Sequence, residues 1–414
     1  MKLILFVYNI FIVLLMPFIA LIGYVIMKNK GKADFWFEHF GFIRKAKINK
    51  NKCIWFHCAS VGEVRSIKNI VEILREKYSD LGVIVSTMTA TGKKEAINYL
   101  NADFSFLIPI ENSQVVVSII SNYNVSAVVI VDTEIWPNFI YSVSSRTKLF
   151  LINGRISDKT FKIYKRFSFF FGPILNRFSA ILTKSQEDEE RFSAISKNRK
   201  KIITAGNIKF QQRKKREDVT LIEELKNKNF LLMASTHNGE EKIFLDYITD
   251  SLKSFEKIVI CPRHIERSYD IRILCETYNL SCGFYSENDF NKDVIIIDTF
   301  GKLEGLYIIA NKIFIGGSIL DIGGHNIYEA LQFERNIAVG PYMHSFKEIY
   351  EIANKYNLVT TINSKDDCIN WINSQEISNK DDFNKFFEEI DNINKDTVNT
   401  VVETISTVID VKVK

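Results

Sequence analysis

Phe314-Ile315-Gly316-Gly317-Ser318, followed closely by Gly323-Gly324-His325-Asn326-Ile327-Tyr328-Glu329, is the stretch on which the fold turns. An apolar run stops at paired glycines, and a second pair opens into a helical pattern through Glu329. A strand, turn and helix of this kind leaves bare backbone amides facing one point at a helix N-terminus, a geometry that suits a phosphate. The simpler reading is that the glycines only turn a strand into a helix. Two pairs so close, with His325, Asn326 and Glu329 spaced to share one face of the following turn, favour a ligand. Glu329 would then accept from ribose hydroxyls while the amides hold the phosphate. The segment by itself does not name that ligand.

Outward from this stretch, short apolar strands alternate with longer helical patterns. Cys53 to Cys58, Gly82 to Ser86, Ser126 to Val131 and Lys148 to Ile152 read as buried strands, with amphipathic segments such as Ile67 to Tyr78 between them. The pattern breaks at the polar segment Gln211 to Asp218 and then restarts. Phe230 to Ala234, Lys257 to Cys261, Asp293 to Ile297, Lys312 to Ile315 and Asn336 to Val339 form the second set. Near-continuous apolar strands separated by helices are the mark of parallel sheets covered on both faces. The expectation is an α/β protein of two Rossmann-like, doubly wound domains facing a cleft at the carboxyl ends of their strands. The domains are read as 28–210 and 211–385, with a C-terminal helix over 386–414 that by analogy returns to the first domain.

Composition agrees with two cores. The chain has 414 residues, 46% of them apolar, more than one typical domain needs. Its six cysteines are scattered with no C-x-x-C pair, which argues against a zinc ribbon or a thioredoxin-like site. A formal charge of +5 is modest, and no nucleic-acid-binding motif accompanies it. From Leu3 to Met27 there is no charged residue. A helix of that length exceeds the roughly 30 Å hydrocarbon layer, so residues 1–27 read as a single-pass anchor rather than a cleaved leader. Lys28, Lys30 and Lys32 follow it at once, while only Lys2 precedes it. The bias puts the two domains on the cytoplasmic side of the membrane, against a lipid surface.

Each strand end then reads for chemistry. The first runs into His57-Cys58-Ala59-Ser60-Val61-Gly62-Glu63. Ser60-x-x-Glu63 is a capping box by spacing; equally, a carboxylate at the mouth of a cleft suits a general base. Asp132 and Glu134 end the strongest strand of the first half, where carboxylates are costly unless paired, solvated or needed. Without a third ligand nearby they give no metal site, and no cofactor is expected. Arg155 ends the fourth strand, and Lys159, Lys162, Lys165 and Arg166 follow it, either a solvated face or a seat for the phosphates of an amphiphile. Lys209 stands where the first domain hands over to the linker. In the second half, Arg263 follows a buried strand, where a guanidinium forks an oxyanion, and Asp298 to Lys302 form another loop at the same edge.

The order of these motifs carries a resemblance. H-x-A-S-V-G-E, T-x-T-x-T-G (Thr87 to Gly92), E-x-W-P-N, N-x-R-x-S, G-N-x-K-F, S-T-H-x-G-E-E, P-R-H-x-E-R, D-T-x-G-x-L and G-G-S with G-G-H-N and E-A run through most of the chain. The sequence resembles the 3-deoxy-D-manno-octulosonic acid (Kdo) transferases of Gram-negative bacteria. That resemblance implies a GT-B fold, with acceptor on the first domain and CMP-Kdo on the second. It implies inverting transfer of Kdo to the glucosamine disaccharide of the lipid A precursor. Glu63 matches the catalytic base of the family, and Asp132 and Lys209 match positions that support the transition state. Pro262, Arg263, Phe300, Gly301, Lys302 and the run Gly324, His325, Asn326, Ile327, Tyr328 and Glu329 match the CMP site. Arg155, Lys162 and Arg166 are candidates for the acceptor. Two departures stand out: Asp132 replaces the usual glutamate, one methylene shorter, and Gln211 follows Phe210 where many relatives have aspartate. The alternatives are a nucleotide-sugar transferase or epimerase with another donor, and a membrane-tethered two-lobed binding protein without turnover.

Overall fold

The structure is a computed structural model that describes residues 36–208, 216–248, 254–374 and 379–410, with 8–10, 12, 14, 15, 18 and 23. It divides into two units, one comprising Met1–Gln211 with Asp391–Lys414 and the other Gln212–Ile390. The first unit holds β1 (Lys52–Cys58), β2 (Leu81–Thr87), β3 (Phe104–Leu107), β4 (Val125–Val131), β5 (Lys148–Gly154), β6 (Ala180–Thr183) and β7 (Ile202–Thr204). The second holds β8 (Phe230–Thr236), β9 (Lys257–Pro262), β10 (Cys282–Phe284), β11 (Val294–Ile296), β12 (Lys312–Ile315), β13 (Ile337–Val339) and β14 (Val359–Thr361). Each set forms one seven-stranded sheet, ordered β3-β2-β1-β4-β5-β6-β7 and β10-β11-β9-β8-β12-β13-β14. Every neighbouring pair is parallel.

The strand sequences explain why both faces are covered. Successive side chains of a strand point to opposite faces. In β1, Ile54, Phe56 and Cys58 join one core, while Cys53 and Trp55 join the other. No polar face is left to water, so β1 reads as one apolar run rather than an alternation. The expected doubly wound α/β fold is therefore present in both halves. The sequence reading passed over β3, β6, β7, β10 and β14, which are three or four residues long.

The last helix, Lys380–Ile409, begins before the 386 boundary read from the sequence. Its Val398, Val401, Val402, Ile405 and Ile409 recur at helical spacing and pack into the first unit's core with Ile54 and Val129. Lys52 Nζ donates to the Ile409 carbonyl at 3.0 Å, and the Tyr78 hydroxyl donates to Asp410 at 2.7 Å. The anchor expected over 1–27 falls largely outside the described residues. Among those described, no helix is long and apolar enough to cross a membrane.

Candidate active site

In a doubly wound sheet, ligands bind beyond the carboxyl ends of the strands where the winding direction reverses. That point lies between β1 and β4 in the first unit and between β8 and β12 in the second. Of the candidate side chains, Glu63 and Asp132 follow the first pair of strands, and the run Gly324 to Glu329 follows β12 of the second.

At the first, β1 ends in Ala59 and Ser60, and Ser60 caps the helix Val61–Ser66. Glu63, buried in the first turn, accepts from the Ala59 amide at 2.6 Å through Oε2 and from the Ser60 hydroxyl at 2.9 Å through Oε1. The capping box is thus built, and it aims the carboxylate back across the end of β1. Beside it, His57 is fully buried, with Nδ1 2.9 Å from the Ser86 hydroxyl. Burial pushes this imidazole down to about 4, which makes it a neutral wall rather than a second base.

Across the reversal, Asp132 ends β4 in the left-handed region at φ +57°, and Asn153 ends β5 at +54°. Such backbone costs of order 1–3 kcal/mol for a residue with a side chain and persists where the surroundings hold it. Here the holding is mutual. Asn153 Nδ2 donates to Asp132 Oδ1 at 2.5 Å, and Asn153 Oδ1 accepts from the Ile208 amide at 3.4 Å. Asn153 thereby ties the acid after β4 to the segment leading into Lys209, which itself lies outside the described residues. Sequence reasoning gave Asn153 no role, because a lone asparagine in N-x-R-x-S carries no spacing signal. Glu134 accepts from the Trp136 indole at 2.8 Å, and its carboxyl is raised by burial and by Asp132 against that hydrogen bond. Arg155, Lys162 and Arg166 are all exposed, the last two on the helix Asp158–Arg166, which buries no residue.

The second cluster corrects the opening reading of the glycines. The amides of Gly317, Ser318 and Ile319 do not face outward to a phosphate. They donate to the carboxylate of Glu240, at 2.6, 2.9 and 3.0 Å, and the His237 amide donates to it at 2.9 Å. Glu240 is fully buried, so the protein supplies its own anion to this nest. The following helix, Tyr328–Leu331, is a single turn without a side-chain cap, too short for the dipole that the sequence pattern promised. Glu241 is also fully buried and takes both arms of Arg267 at 3.0 Å, so the paired acids of G-E-E and the last arginine of P-R-H-x-E-R brace the loops. Two adjacent glutamates at the start of a helix carry no spacing signal for either role.

The other predicted residues of this unit make contacts of their own. Asn326 Oδ1 accepts from the Tyr328 amide at 3.2 Å and its Nδ2 donates to Glu329 at 3.3 Å, while Ile327 and Tyr328 are buried. Gly324 holds φ +78° and donates to the Gly317 carbonyl at 2.6 Å. Pro262 pairs with Thr236 at the end of β9, which leaves Arg263 exposed. Phe300 is 73% exposed, Gly301 holds φ +82°, and Lys302 Nζ stands 5.0 Å from the Tyr285 ring centroid. The hydroxyls of Thr236 and Thr299 are buried and make no hydrogen bond among the described residues. Gly316 lets β8 and β12 meet: a Cβ there would stand 2.7 Å from Thr236 Cα and 2.8 Å from the Ser235 carbonyl oxygen. Gly316→Ala is therefore expected to destabilise the protein by about 1–3 kcal/mol, read as an earlier urea midpoint with an unchanged slope.

His325 and His237 meet with their Nε2 atoms 2.9 Å apart, and His264 stacks edge-on to His237 at 5.6 Å between centroids. The short contact holds one proton between two nitrogens. Burial, with His237, Arg263 and His264 adding, pushes His325 down to about 4. Its folded value lies below the unfolded value of about 6.5, so the unfolded chain binds the extra proton first. Stability is full above pH 6.5 and falls as pH drops from there towards 4. His325→Asn is expected to lessen that fall, the part due to His57 remaining, measured as melting temperature against pH. No group of residues suited to hold a metal occurs among the described residues.

Two doubly wound units, each with polar side chains massed at its winding reversal, place the chain in the GT-B class of two-domain α/β proteins. A UDP-GlcNAc 2-epimerase from Neisseria meningitidis has this fold, with a TM-score of 0.54 at 12% identity, covering 86% of this chain and all of that one. Residues 34–212 match the family described as 3-Deoxy-D-manno-octulosonic-acid transferase (kdotransferase). A 3-deoxy-D-manno-octulosonic acid transferase of Rickettsia bellii is 31% identical over 81% of this chain and 84% of its own length. The chain belongs to the Kdo transferase family, a family of glycosyltransferases. It spans 56% of a bifunctional glycosyltransferase/methyltransferase of Fusobacterium nucleatum, 28% identical over 83% of this chain.

Proposed function

We propose that this protein transfers Kdo from CMP-Kdo, with inversion, to the glucosamine disaccharide of the lipid A precursor at the cytoplasmic face of the inner membrane. The observation that carries the reading is the Glu63 carboxylate, oriented by Ala59 and Ser60 at the winding reversal of a chain that belongs to this family. Glu63 takes the proton of an acceptor hydroxyl as that oxygen attacks the anomeric carbon of Kdo. The carbon–oxygen bond to phosphate breaks on the opposite face, its electron pair leaving with CMP. Asp132 and Lys209 support the transition state. Pro262, Arg263, Phe300, Gly301, Lys302 and the run Gly324 to Glu329 bind CMP. Arg263 supplies the charge for its phosphate, because the glycine nest is already filled by Glu240. The buried hydroxyls of Thr236 and Thr299 are further donors on the same unit. Arg155, Lys162 and Arg166 receive the acceptor's phosphates.

Incubation with CMP-Kdo and tetraacylated lipid A precursor tests the reading, with the product followed by mass. Addition of Kdo is expected. Absence of transfer with tight CMP binding would point to a binding protein, and a preference for a UDP-sugar to another transferase.

A further inference from the structure

Three histidines meet at the carboxyl ends of the second unit's strands. His237 follows β8, His264 follows β9, and His325 follows the second glycine pair. The rings of His237 and His325 are nearly parallel, at 9°, with centroids 5.0 Å apart and Nε2 atoms 2.9 Å apart. Both are held in place by the glycine loop and its carboxylate. The His237 amide donates to Glu240, and a Cβ on Gly317 would come within 2.9 Å of the His325 ring. A contact this short between two imidazole nitrogens needs one of them protonated and the other bare. Two neutral rings carry two protons on four nitrogens. One proton lies in the contact, so the other sits on Nδ1 of the accepting ring, and Nδ1 of the donating ring is bare. Neither Nδ1 has a hydrogen-bond partner among the described residues. Whichever ring donates, the pair keeps one open proton site.

The charges around this pair lack an anion. Glu240 is occupied by four backbone amides, and Glu241 by Arg267. Arg263 is exposed and enters no ion pair among the described residues. Burial foremost, with His264, Arg267 and Arg263 adding, holds His237 below the ordinary imidazole value against the opposing pull of Glu240. His325, depressed by burial and then by His237, Arg263 and His264, stands at about 4. Near neutral pH the open site therefore stays without its proton until a negative charge is brought to it. At the end of β8, next to His237, the buried Thr236 hydroxyl also has no partner among the described residues.

We propose that the His237–His325 pair loads a proton when a nucleoside monophosphate binds, so that the phosphate meets an imidazolium N–H where the free protein has a lone pair. The inference rests on the proposed CMP site of this unit. A phosphodiester donor carries one negative charge, whereas the monoester left after transfer carries nearly two, its second pKa being about 6. The loaded proton meets that second charge, and its loss at higher pH lets the product go. Calorimetric titration of the full-length protein with CMP, in two buffers of different ionisation enthalpy, counts the protons. At about pH 7.5, uptake of about one proton is expected, with the dissociation constant rising by up to about tenfold per pH unit above neutrality, the limit for one linked proton. His237→Gln and His325→Gln are each expected to bind CMP without uptake. Arg263→Gln is expected to bind about tenfold more weakly at every pH and to keep the uptake. In wild-type protein labelled at its histidine ring nitrogens, CMP should move the signal of one imidazole of the pair to the charged position, a readout that needs no variant. CMP binding without uptake, or uptake that persists in both histidine variants, overturns the inference and leaves the CMP site standing. Absence of CMP binding at every pH overturns both.

Discussion

Glu240→Ala is expected to lower the melting temperature by more than about 8 °C and to abolish donor binding, although Glu240 is not itself among the proposed donor residues. Four backbone amides, those of His237, Gly317, Ser318 and Ile319, lose their only acceptor in the described structure. Each buried donor left without a partner costs about 1–3 kcal/mol, and water entering the vacated space returns part of that. A loss of several kcal/mol is large against a typical folding stability of about 5–15 kcal/mol. At about 2–4 °C per kcal/mol for a unit of this size, the shift is readily measured. Glu240→Gln separates charge from shape. Its one carbonyl oxygen accepts from two of the amides, but its NH2 group faces the other two, so most of the loss remains. Glu240→Ala melting within about 2 °C of wild type would show that the glycine loop needs no internal anion, and the nest would again be open to a phosphate.

That carboxylate marks the limit of what the sequence disclosed. Parallel sheets covered on both faces were legible because β1, β4 and β8 are apolar over most of their length on both faces, and only burial on two sides tolerates that. Short outer strands such as β7 and β14 were not. Three residues make no period, and their pairing comes from the neighbouring strand rather than from their own propensity. Glu63 was legible as a residue, since Ser60-x-x-Glu63 has a local geometry that its spacing fixes. The filling of the nest was not, because Glu240 is near Gly317 only through the pairing of β8 with β12. A glycine pair reports that amides are bare, and only tertiary structure tells what they meet. The same holds for Asn153, which acts by joining the ends of two strands to a third segment.

Glu63→Gln is expected to lower the turnover rate by about 10²–10⁴, with little change in KM for CMP-Kdo. The proton-accepting oxygen is lost, whereas the proposed donor residues all belong to the other unit. The difficulty is that Glu63 also closes a capping box, so a fall in rate could come from a frayed helix start. Ser60→Ala resolves this. It removes the Ser60 hydroxyl that accepts from the Glu63 amide at 3.4 Å and donates to Oε1 at 2.9 Å, while leaving the carboxylate and its bond from Ala59 in place. Loss of a cap costs about 0.5–2 kcal/mol, so both variants should melt slightly early and by similar amounts. Their rates should part: Ser60→Ala keeps a rate within about tenfold of wild type, because one of two orienting bonds remains. Glu63→Asp adds a third reading, since it keeps a base but withdraws it by one methylene, and it should fall between the two. If Ser60→Ala falls as far as Glu63→Gln, the carboxylate serves only to hold the helix. The base would then have to be sought on the other side of the reversal, where Glu134, raised by its burial, is a carboxyl of suitable character.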